Sequence, residues 1–185
     1  MKVILASQSP RRKELLGWLI PEFEIQPATI DETPFEGEKP KQYVQRIAVE
    51  KAAIVKQKSA VDTLVIASDT IVTIGNEIMG KPTDQKAAKA MLKKLSGITH
   101  DVYTAVVLVK NQQEEKLLAH AAVTFYDLTD EEIETYLTTS NYTDKAGAYG
   151  IQSFAGAFVK EINGDYYSIV GFPVGAVKQA LKKFM

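Results

Sequence analysis

Apolar residues along the chain fall into two spacings, short continuous runs and repeats of three or four positions. The continuous runs at residues 3–6 and 64–67 are typical of short buried strands. Residues 102–109 and 117–125 predict two more strands, and residues 23–28 alternate as a strand does. Several of these strands follow one another with no helix between them, so a purely parallel sheet is not expected.

Five segments have the features of helices. Residues 42–58 and 84–95 carry apolar residues at helical spacing with a polar opposite face. Capping patterns predict three more helices, one from Ser9-Pro10 to about residue 19, one from Thr129 to about residue 138, and one from Pro173 to the end. Strands and helices interleaved in this way predict an α/β fold, a mixed twisted sheet with helices on both faces.

Two pairs of strands are predicted to form hairpins. Gly75-Asn76 is the expected two-residue turn between residues 71–74 and 77–79. Asn163-Gly164 is the expected turn between residues 157–162 and 166–170.

Composition narrows the class of protein. The 185 residues are 45% hydrophobic and 24% charged, which favours one domain or two closely packed lobes. Basic and acidic residues balance at 22 and 23, so we expect no nucleic-acid partner. No apolar run approaches the roughly 20 residues of a membrane span, and there is no cysteine. We therefore expect a cytoplasmic protein with no membrane partner, no disulfide and no thiol nucleophile.

Several common catalytic patterns are absent from the sequence. It has no glycine-rich dinucleotide fingerprint, no P-loop and no nucleophile elbow. His100 and His120 are the only histidines, which argues against a histidine triad and favours core or surface roles for both. The polar groups that remain are carboxylates, lysines, arginines and hydroxyls. They suit a site that binds phosphate groups together with a divalent metal.

The turn before the first predicted helix is one candidate site. Ser7 is followed there by Arg11 and Arg12. The free N–H groups of a helix N-terminus attract phosphate, and two arginines that oppose the helix dipole suggest a bound anion. A solvated basic turn is the plainer alternative.

Two charged residues adjoin predicted buried segments. Asp69 lies two residues beyond the predicted strand at residues 64–67, where α/β enzymes carry catalytic carboxylates, although it could also simply form a turn. Lys51 lies near the apolar face of its predicted helix, so it either extends to solvent or points at a buried anion.

Three candidates lie in predicted connections. Lys81 is fixed between Gly80 and Pro82, and an ordinary turn lysine is the alternative. Gln152 follows closely spaced glycines that let a backbone approach a ligand, although such a stretch can be a plain connector. Glu32, next to Asp31, is either a metal ligand or a solvated acid.

Five motifs in this order resemble the Maf family of nucleoside triphosphate pyrophosphatases. They are Ala6-Ser-Gln-Ser-Pro-Arg-Arg12, Ala67-Ser-Asp-Thr70, Gly80-Lys-Pro82, Leu95-Ser-Gly97 and Lys145-Ala-Gly-Ala-Tyr-Gly-Ile-Gln152. The resemblance implies a single Maf-like domain over residues 1–185, with two lobes around a cleft, similar to the inosine triphosphate pyrophosphatases. It implies hydrolysis of a nucleotide between its α- and β-phosphates with a divalent metal, Mg²⁺ or Mn²⁺. Thr70 and residues 149–152 resemble the branch acting on dTTP, UTP and related modified pyrimidine nucleotides.

The same resemblance implies a role for each candidate residue. It assigns catalysis to Asp69, Lys51 and Lys81, with Asp69 as proton acceptor; phosphate binding to Ser7, Arg11 and Arg12; substrate specificity to Arg12, Thr70 and Gln152; and the metal to Glu32 and Asp69. Family members have also been linked to inhibition of septum formation. The alternative hypothesis is therefore a nucleotide-sensing regulator of septum formation with incidental turnover. Both hypotheses require a nucleoside triphosphate as partner, and both leave a homodimer open.

Overall fold

The computed structural model describes residues 1–185 as one seven-stranded sheet with six α-helices and two short 3₁₀ helices. The strands are β1 (Val3–Leu5), β2 (Glu24–Ile25), β3 (Leu64–Ile74), β4 (Glu77–Met79), β5 (Thr99–Lys110), β6 (Gln113–Phe125) and β7 (Val159–Gly164). The α-helices are α1 (Pro10–Gly17), α2 (Pro40–Lys56), α3 (Gln85–Leu95), α4 (Asp130–Leu137), α5 (Tyr166–Val170) and α6 (Val174–Leu181). The 3₁₀ helices are Ala146–Ala148 and Phe154–Phe158.

The sheet is mixed, as the interleaved pattern predicts. Its strand order is β2-β1-β3-β5-β6-β7, with β4 paired to the far end of β3. β1 runs parallel to β2 and β3, whereas all pairs from β3 to β7 are antiparallel. The expectation of a mixed α/β sheet is confirmed, and the division of the domain into two lobes stays a prediction.

Helices bury one half of the sheet on both faces. Leu64 and Ile66 of β3 pack with α1 and α6 on one face. Val65 and Ala67 of the same strand pack against α2 on the other face. Side chains of a strand alternate between faces, and a strand covered on both faces is apolar throughout. This explains the unbroken apolar run at residues 64–67.

The other half of the sheet has a separate apolar core. Val72 of β3 and Val102 of β5 pack there with α3, α4 and the two 3₁₀ helices. Residues 68–70 lie on β3 between the two halves and carry polar side chains. No helix has both the length and the apolar character needed to cross a membrane.

Most predicted helix starts are confirmed by their caps. The Ser9, Asp84 and Thr129 side chains each accept a hydrogen bond from the backbone of the first helical turn. Thr129 and Glu132 form the expected capping box. The hairpin that turns at Gly75-Asn76 is also confirmed.

The predicted end of a strand before Asp69 is wrong. β3 runs unbroken from Leu64 to Ile74, so Asp69 lies inside a strand and does not form a turn. The cause is β5, which pairs with β3 through Asp69 and onward to Thr73.

The predicted second hairpin is also wrong, because residues 166–170 form helix α5. The Asp165 side chain caps this helix by accepting hydrogen bonds from the backbone N–H groups of Tyr167 and Ser168 at 2.7 and 3.3 Å. Gly171, with φ of +109°, ends it. The strand predicted at residues 23–28 shrinks to the two exposed residues of β2 at the sheet edge.

Candidate active site

One edge of β3 is uncovered between the end of β1 and the start of β4. β1 pairs with β3 as far as Ile66, and β4 begins to pair at Val72. A cleft with a volume of about 1080 Å³ opens at this gap. Every site residue predicted from the sequence lines it, namely Ser7, Arg11, Arg12, Glu32, Lys51, Asp69, Thr70, Lys81 and Gln152.

Three charged groups meet on the α2 side of β3. Lys51 Nζ lies 2.8 Å from Asp69 Oδ1 and 2.7 Å from Glu32 Oε1. Lys51 and Asp69 are buried, whereas the Glu32 side chain is 45% exposed. Lys51 thus contacts a buried carboxylate and does not extend to solvent. Burial pushes the pKa of Glu32 upward, but Lys51, with smaller effects from Lys81 and Arg12, outweighs burial and holds that pKa below its usual value.

The loop that carries Glu32 is held by side chains of α2. The Tyr43 hydroxyl donates to the backbone oxygen of Glu32 at 2.8 Å. Burial, together with nearby carboxylates, raises the pKa of Tyr43 to about 12, so the phenol remains a donor. Arg46 donates to both carboxylate oxygens of Glu38 at 2.7 Å and lies 3.9 Å from the ring centre of Phe35. These contacts explain how a loop without regular structure keeps Glu32 over the cleft.

Arg12 lies on the opposite face of β3 and has partners for all three of its nitrogens. Nε donates to the Gly171 carbonyl at 2.9 Å, Nη1 to Ser7 Oγ at 3.3 Å and Nη2 to Thr70 Oγ1 at 3.0 Å. Burial lowers the pKa of Arg12, although Asp69 acts in the opposite direction, and a guanidinium stays charged in proteins. A Cβ on Gly171 would lie 3.3 Å from Thr70 Oγ1 at a positive φ, so glycine suits this close approach.

Further cations lie at the entrance of the cleft. Arg11 Nη1 is 3.5 Å from Asp144 Oδ2, and Lys145 Nζ is 2.6 Å from Asp144 Oδ1. Lys81 is exposed and forms no salt bridge or hydrogen bond. The cleft therefore presents more cations than carboxylates: Arg11, Arg12, Lys51, Lys81 and Lys145 against Glu32, Asp69 and Asp144.

The glycine-rich segment before Gln152 is fixed through its backbone. Gly147 N–H donates to the Gly80 carbonyl at 3.1 Å. Gly147 has φ of +67°, and a Cβ there would lie 3.0 Å from Val72, so a larger residue would disturb this contact. Gln152 is exposed and makes no hydrogen bond within the protein, so its amide can bind a ligand.

Both histidines have the core or surface positions expected for them, and Asp31 lies outside the cleft. His100 is buried, with Nε2 2.8 Å from the Tyr149 hydroxyl, and His120 is half-exposed beside Asp101. Asp31 does not join Glu32 in the cleft, because its carboxylate accepts the backbone N–H of Thr33 at 2.9 Å.

The sequence did not predict the groups that form hydrogen bonds with Arg12 and Thr70 from the protein core, nor the group that fixes Thr104. These are the Thr104 hydroxyl of β5 and the backbone carbonyls of Ser168 and Gly171 at the end of α5. Helix α5 could have been found from Asp165 as a cap and Gly171 as a stop. No spacing in the sequence distinguishes Thr104 from other strand threonines.

Comparisons with known proteins identify the family to which this chain is similar. A family model described as Maf-like protein matches residues 2–184. A dTTP/UTP pyrophosphatase of Bacillus cereus strain G9842 is 44% identical over 183 residues, which cover 99% of this chain and 95% of the relative. The dTTP/UTP pyrophosphatase of Bacillus cereus strain B4264 has the same identity and coverage.

Solved structures provide the comparison for the fold. A HAM1 protein from Coxiella burnetii has a TM-score of 0.51 at 15% identity, and the likeness covers 99% of each chain. The Ham1 protein of Staphylococcus aureus has a TM-score of 0.50 at 13% identity, covering 69% of this chain and 73% of that one. At these identities the likeness concerns the fold alone, and it agrees with a mixed α/β sheet.

Proposed function

Because the chain belongs to the Maf family, we propose that it is a nucleoside triphosphate pyrophosphatase acting on dTTP, UTP and related modified pyrimidine nucleotides. The proposed reaction is hydrolysis between the α- and β-phosphates to the monophosphate and pyrophosphate. The observation that carries the proposal is a cleft in which five cationic side chains, one of them paired with a buried carboxylate, outnumber three carboxylates. Pyrophosphate gains charge as it leaves, and cations fixed in advance stabilise that charge in the transition state.

Asp69 is the proposed proton acceptor. Lys51 binds Asp69 Oδ1, whereas Oδ2 has no hydrogen bond and remains available to a water molecule. The water oxygen would bond to the α-phosphorus while the bond from that phosphorus to the bridging oxygen breaks. The water proton passes to Asp69, and the electron pair of the broken bond leaves with pyrophosphate. Arg11 and Lys81, at the entrance of the cleft, would bind the departing group.

We propose that a divalent metal, Mg²⁺ or Mn²⁺, binds between Glu32 and Asp69. Each carboxylate contacts the Lys51 ammonium through one oxygen, at 2.7 and 2.8 Å, and the second oxygen of each has no hydrogen bond and is free to bind a metal beside Lys51. No group of three or more His, Asp or Glu side chains that could hold a metal is present, and Mg²⁺ commonly combines one or two carboxylates with substrate phosphates. The two carboxylates therefore fit a metal whose remaining ligands come from the phosphates of the nucleotide. When bound, it would supply Lewis-acid stabilisation of phosphate oxygens.

Base choice is proposed to depend on Arg12, Thr70 and Gln152. A uracil or thymine edge has two carbonyl acceptors and one N–H donor, and the Gln152 amide has both donors and an acceptor. Thr70 lies one residue from Asp69 but on the other face of β3, so it can couple substrate position to the reacting phosphate. A cytoplasmic location and a homodimer stay predictions.

The test is product analysis. UTP or dTTP, incubated with the protein and Mg²⁺ or Mn²⁺, should release monophosphate and pyrophosphate in equal amounts. Asp69→Asn protein, purified in the same way, is the control for contaminating hydrolases. Diphosphate and orthophosphate as primary products would contradict cleavage at the α–β bond, and hydrolysis of none of the ordinary or modified pyrimidine triphosphates would contradict the function.

A further inference from the structure

A chain of hydrogen bonds runs from the cleft into the core behind Thr70. Thr70 Oγ1 lies 2.8 Å from Thr104 Oγ1, and Thr104 Oγ1 lies 2.7 Å from the backbone oxygen of Ser168. Thr104 and Ser168 are fully buried, so no solvent reaches this part of the chain. On the cleft side, Arg12 Nη2 lies 3.0 Å from Thr70 Oγ1.

The donor of each hydrogen bond in this network follows from the groups at its two ends, the Ser168 carbonyl and the Arg12 guanidinium. Two oxygens at 2.7 Å repel unless a proton lies between them, and a carbonyl has none to give, so Thr104 donates to Ser168. A threonine hydroxyl has one proton, so the proton between Thr104 and Thr70 comes from Thr70. Arg12 has no acceptor, so it donates to Thr70.

Thr70 therefore has nothing left to donate. Its single proton is directed at Thr104, one lone pair accepts from Arg12, and only its second lone pair is free. We propose that Thr104 is a positioning residue that fixes Thr70 as a hydrogen-bond acceptor towards the nucleotide. The site then favours a nucleotide that offers a hydrogen-bond donor at this point.

This inference rests on the proposed function for the class of ligand. A uracil or thymine nucleotide has two groups that could donate a hydrogen bond to Thr70, the N3–H of the base and a sugar hydroxyl. Cytosine has a lone pair where uracil has N3–H, so an acceptor-only Thr70 would bind UTP and repel CTP at that atom. A Thr70 whose proton is free to turn would tolerate both.

The experiment compares three variants of buried threonines. Thr104→Val keeps the shape and removes the hydroxyl, and Thr104→Ser keeps the hydroxyl. Thr73→Val is the matched control, because Thr73 is equally buried on β3 and its hydroxyl has no partner. The kcat/KM ratio of UTP to CTP reports on N3–H, and the ratio of dTTP to 3′-deoxythymidine triphosphate reports on the sugar hydroxyl.

We expect Thr104→Val to lower one of these ratios by at least about fivefold, because the Thr70 proton is then no longer held towards Thr104 and Thr70 can donate as well as accept; the change is about that of one well-placed hydrogen bond. Thr104→Ser should restore it, and Thr73→Val should leave it within about twofold of the parent value. Which ratio moves identifies the donor. Both ratios unchanged in folded Thr104→Val protein, or a ratio that rises, would overturn the proposal.

Two further measurements keep the test decisive. If Thr104→Val does not fold, Thr70→Val removes the acceptor itself and should lower the same ratio, and an unchanged ratio overturns the inference. If the parent protein releases no pyrophosphate, the proposed function fails separately. The ratios are then measured as dissociation constants of non-hydrolysable α,β-imido nucleotides by calorimetry.

Discussion

Mild acid is expected to destabilise the protein through His100. The ring is 1% exposed, and its Nδ1 has no hydrogen-bond partner, so a protonated ring would bury a donor without an acceptor. Burial lowers the pKa of His100 to about 4, although Asp101 acts in the opposite direction. An unfolded histidine titrates near about 6.5. Between these two values the unfolded state binds more protons than the native state, so stability is lost as pH falls from about 6.5 to about 4.

The size of the loss follows from the difference between the two pKa values. About 2.5 pKa units at about 1.4 kcal/mol each give a limit of roughly 3 kcal/mol. The native state is destabilised by about 2 kcal/mol at pH 5 and about 3 kcal/mol at pH 4, because the unfolded histidine is then largely protonated. Against a total stability of about 5–15 kcal/mol for a typical domain, the loss is large enough to measure.

Urea unfolding at several pH values checks this prediction. His100→Gln removes the titrating ring, so the stability difference between parent and variant should shrink by about 2 kcal/mol from pH 7.5 to pH 5. Any constant cost of the substitution cancels in that comparison. His120→Gln is the control, because it changes the half-exposed histidine and leaves His100 in place. A stability difference between parent and His100→Gln that stays constant from pH 7.5 to pH 5 would refute the reasoning.

Four substitutions of residues that line the cleft give further predictions. Asp69→Asn should lower turnover by about 10²–10⁴-fold, because the amide cannot accept the water proton; activity within about threefold of the parent would contradict that role, and cells that still function with this variant would favour the regulator hypothesis. Lys81→Ala should weaken the transition state by about 1.5–3 kcal/mol with an unchanged melting temperature, because Lys81 has no partner in the protein. Arg12→Ala should weaken the transition state and also lower the melting temperature, since Arg12 has hydrogen-bond partners within the protein. A normal melting temperature would contradict this. Gln152→Ala should reduce the kcat/KM ratio of UTP to GTP, and an equal fall for both nucleotides would show that Gln152 does not select the base.

Local patterns predicted those parts of the fold whose signals lie within a few residues. Ser9-Pro10 and Thr129 fixed two helix starts because a capping side chain reaches only the first turn of its own helix. The error at Asp69 has the opposite cause. β3 continues through the polar residues 68–70 because β5, more than thirty positions away, pairs with all of them. Long-range pairing outweighs local polarity there, and no window of sequence contains it.

The sequence predicted residues that line the cleft, but not the groups that hold those residues in place. Arg12, Lys51 and Asp69 stand out because each is a charged residue at a position where a merely stable fold favours another type. Thr104 contributes a hydroxyl, and the end of α5 contributes the carbonyls of Ser168 and Gly171. Hydroxyls and backbone carbonyls occur throughout any sequence, so they give no local signal. Their role depends on three-dimensional position alone. Because residues 166–170 were predicted as a strand of a hairpin, helix α5, whose end binds Arg12, was not predicted.

The alternation of side chains along β3 explains how one short polar segment can serve both chemistry and selection. Asp69 faces α2, where Lys51 binds it, whereas Thr70 faces α1 and α5, where Arg12 binds it. The strand itself separates the two groups, and the uncovered edge of β3 lets one ligand reach both faces. A shift of β3 by one residue against β5 would exchange the faces, bringing the hydroxyl to the lysine and the carboxylate to the arginine. The long antiparallel pairing with β5, from Val65 to Thr73, prevents that shift. The register between β3 and β5 therefore fixes which residue lies beside Lys51, as the proposed base, and which lies beside Arg12, as the proposed selector of the nucleotide.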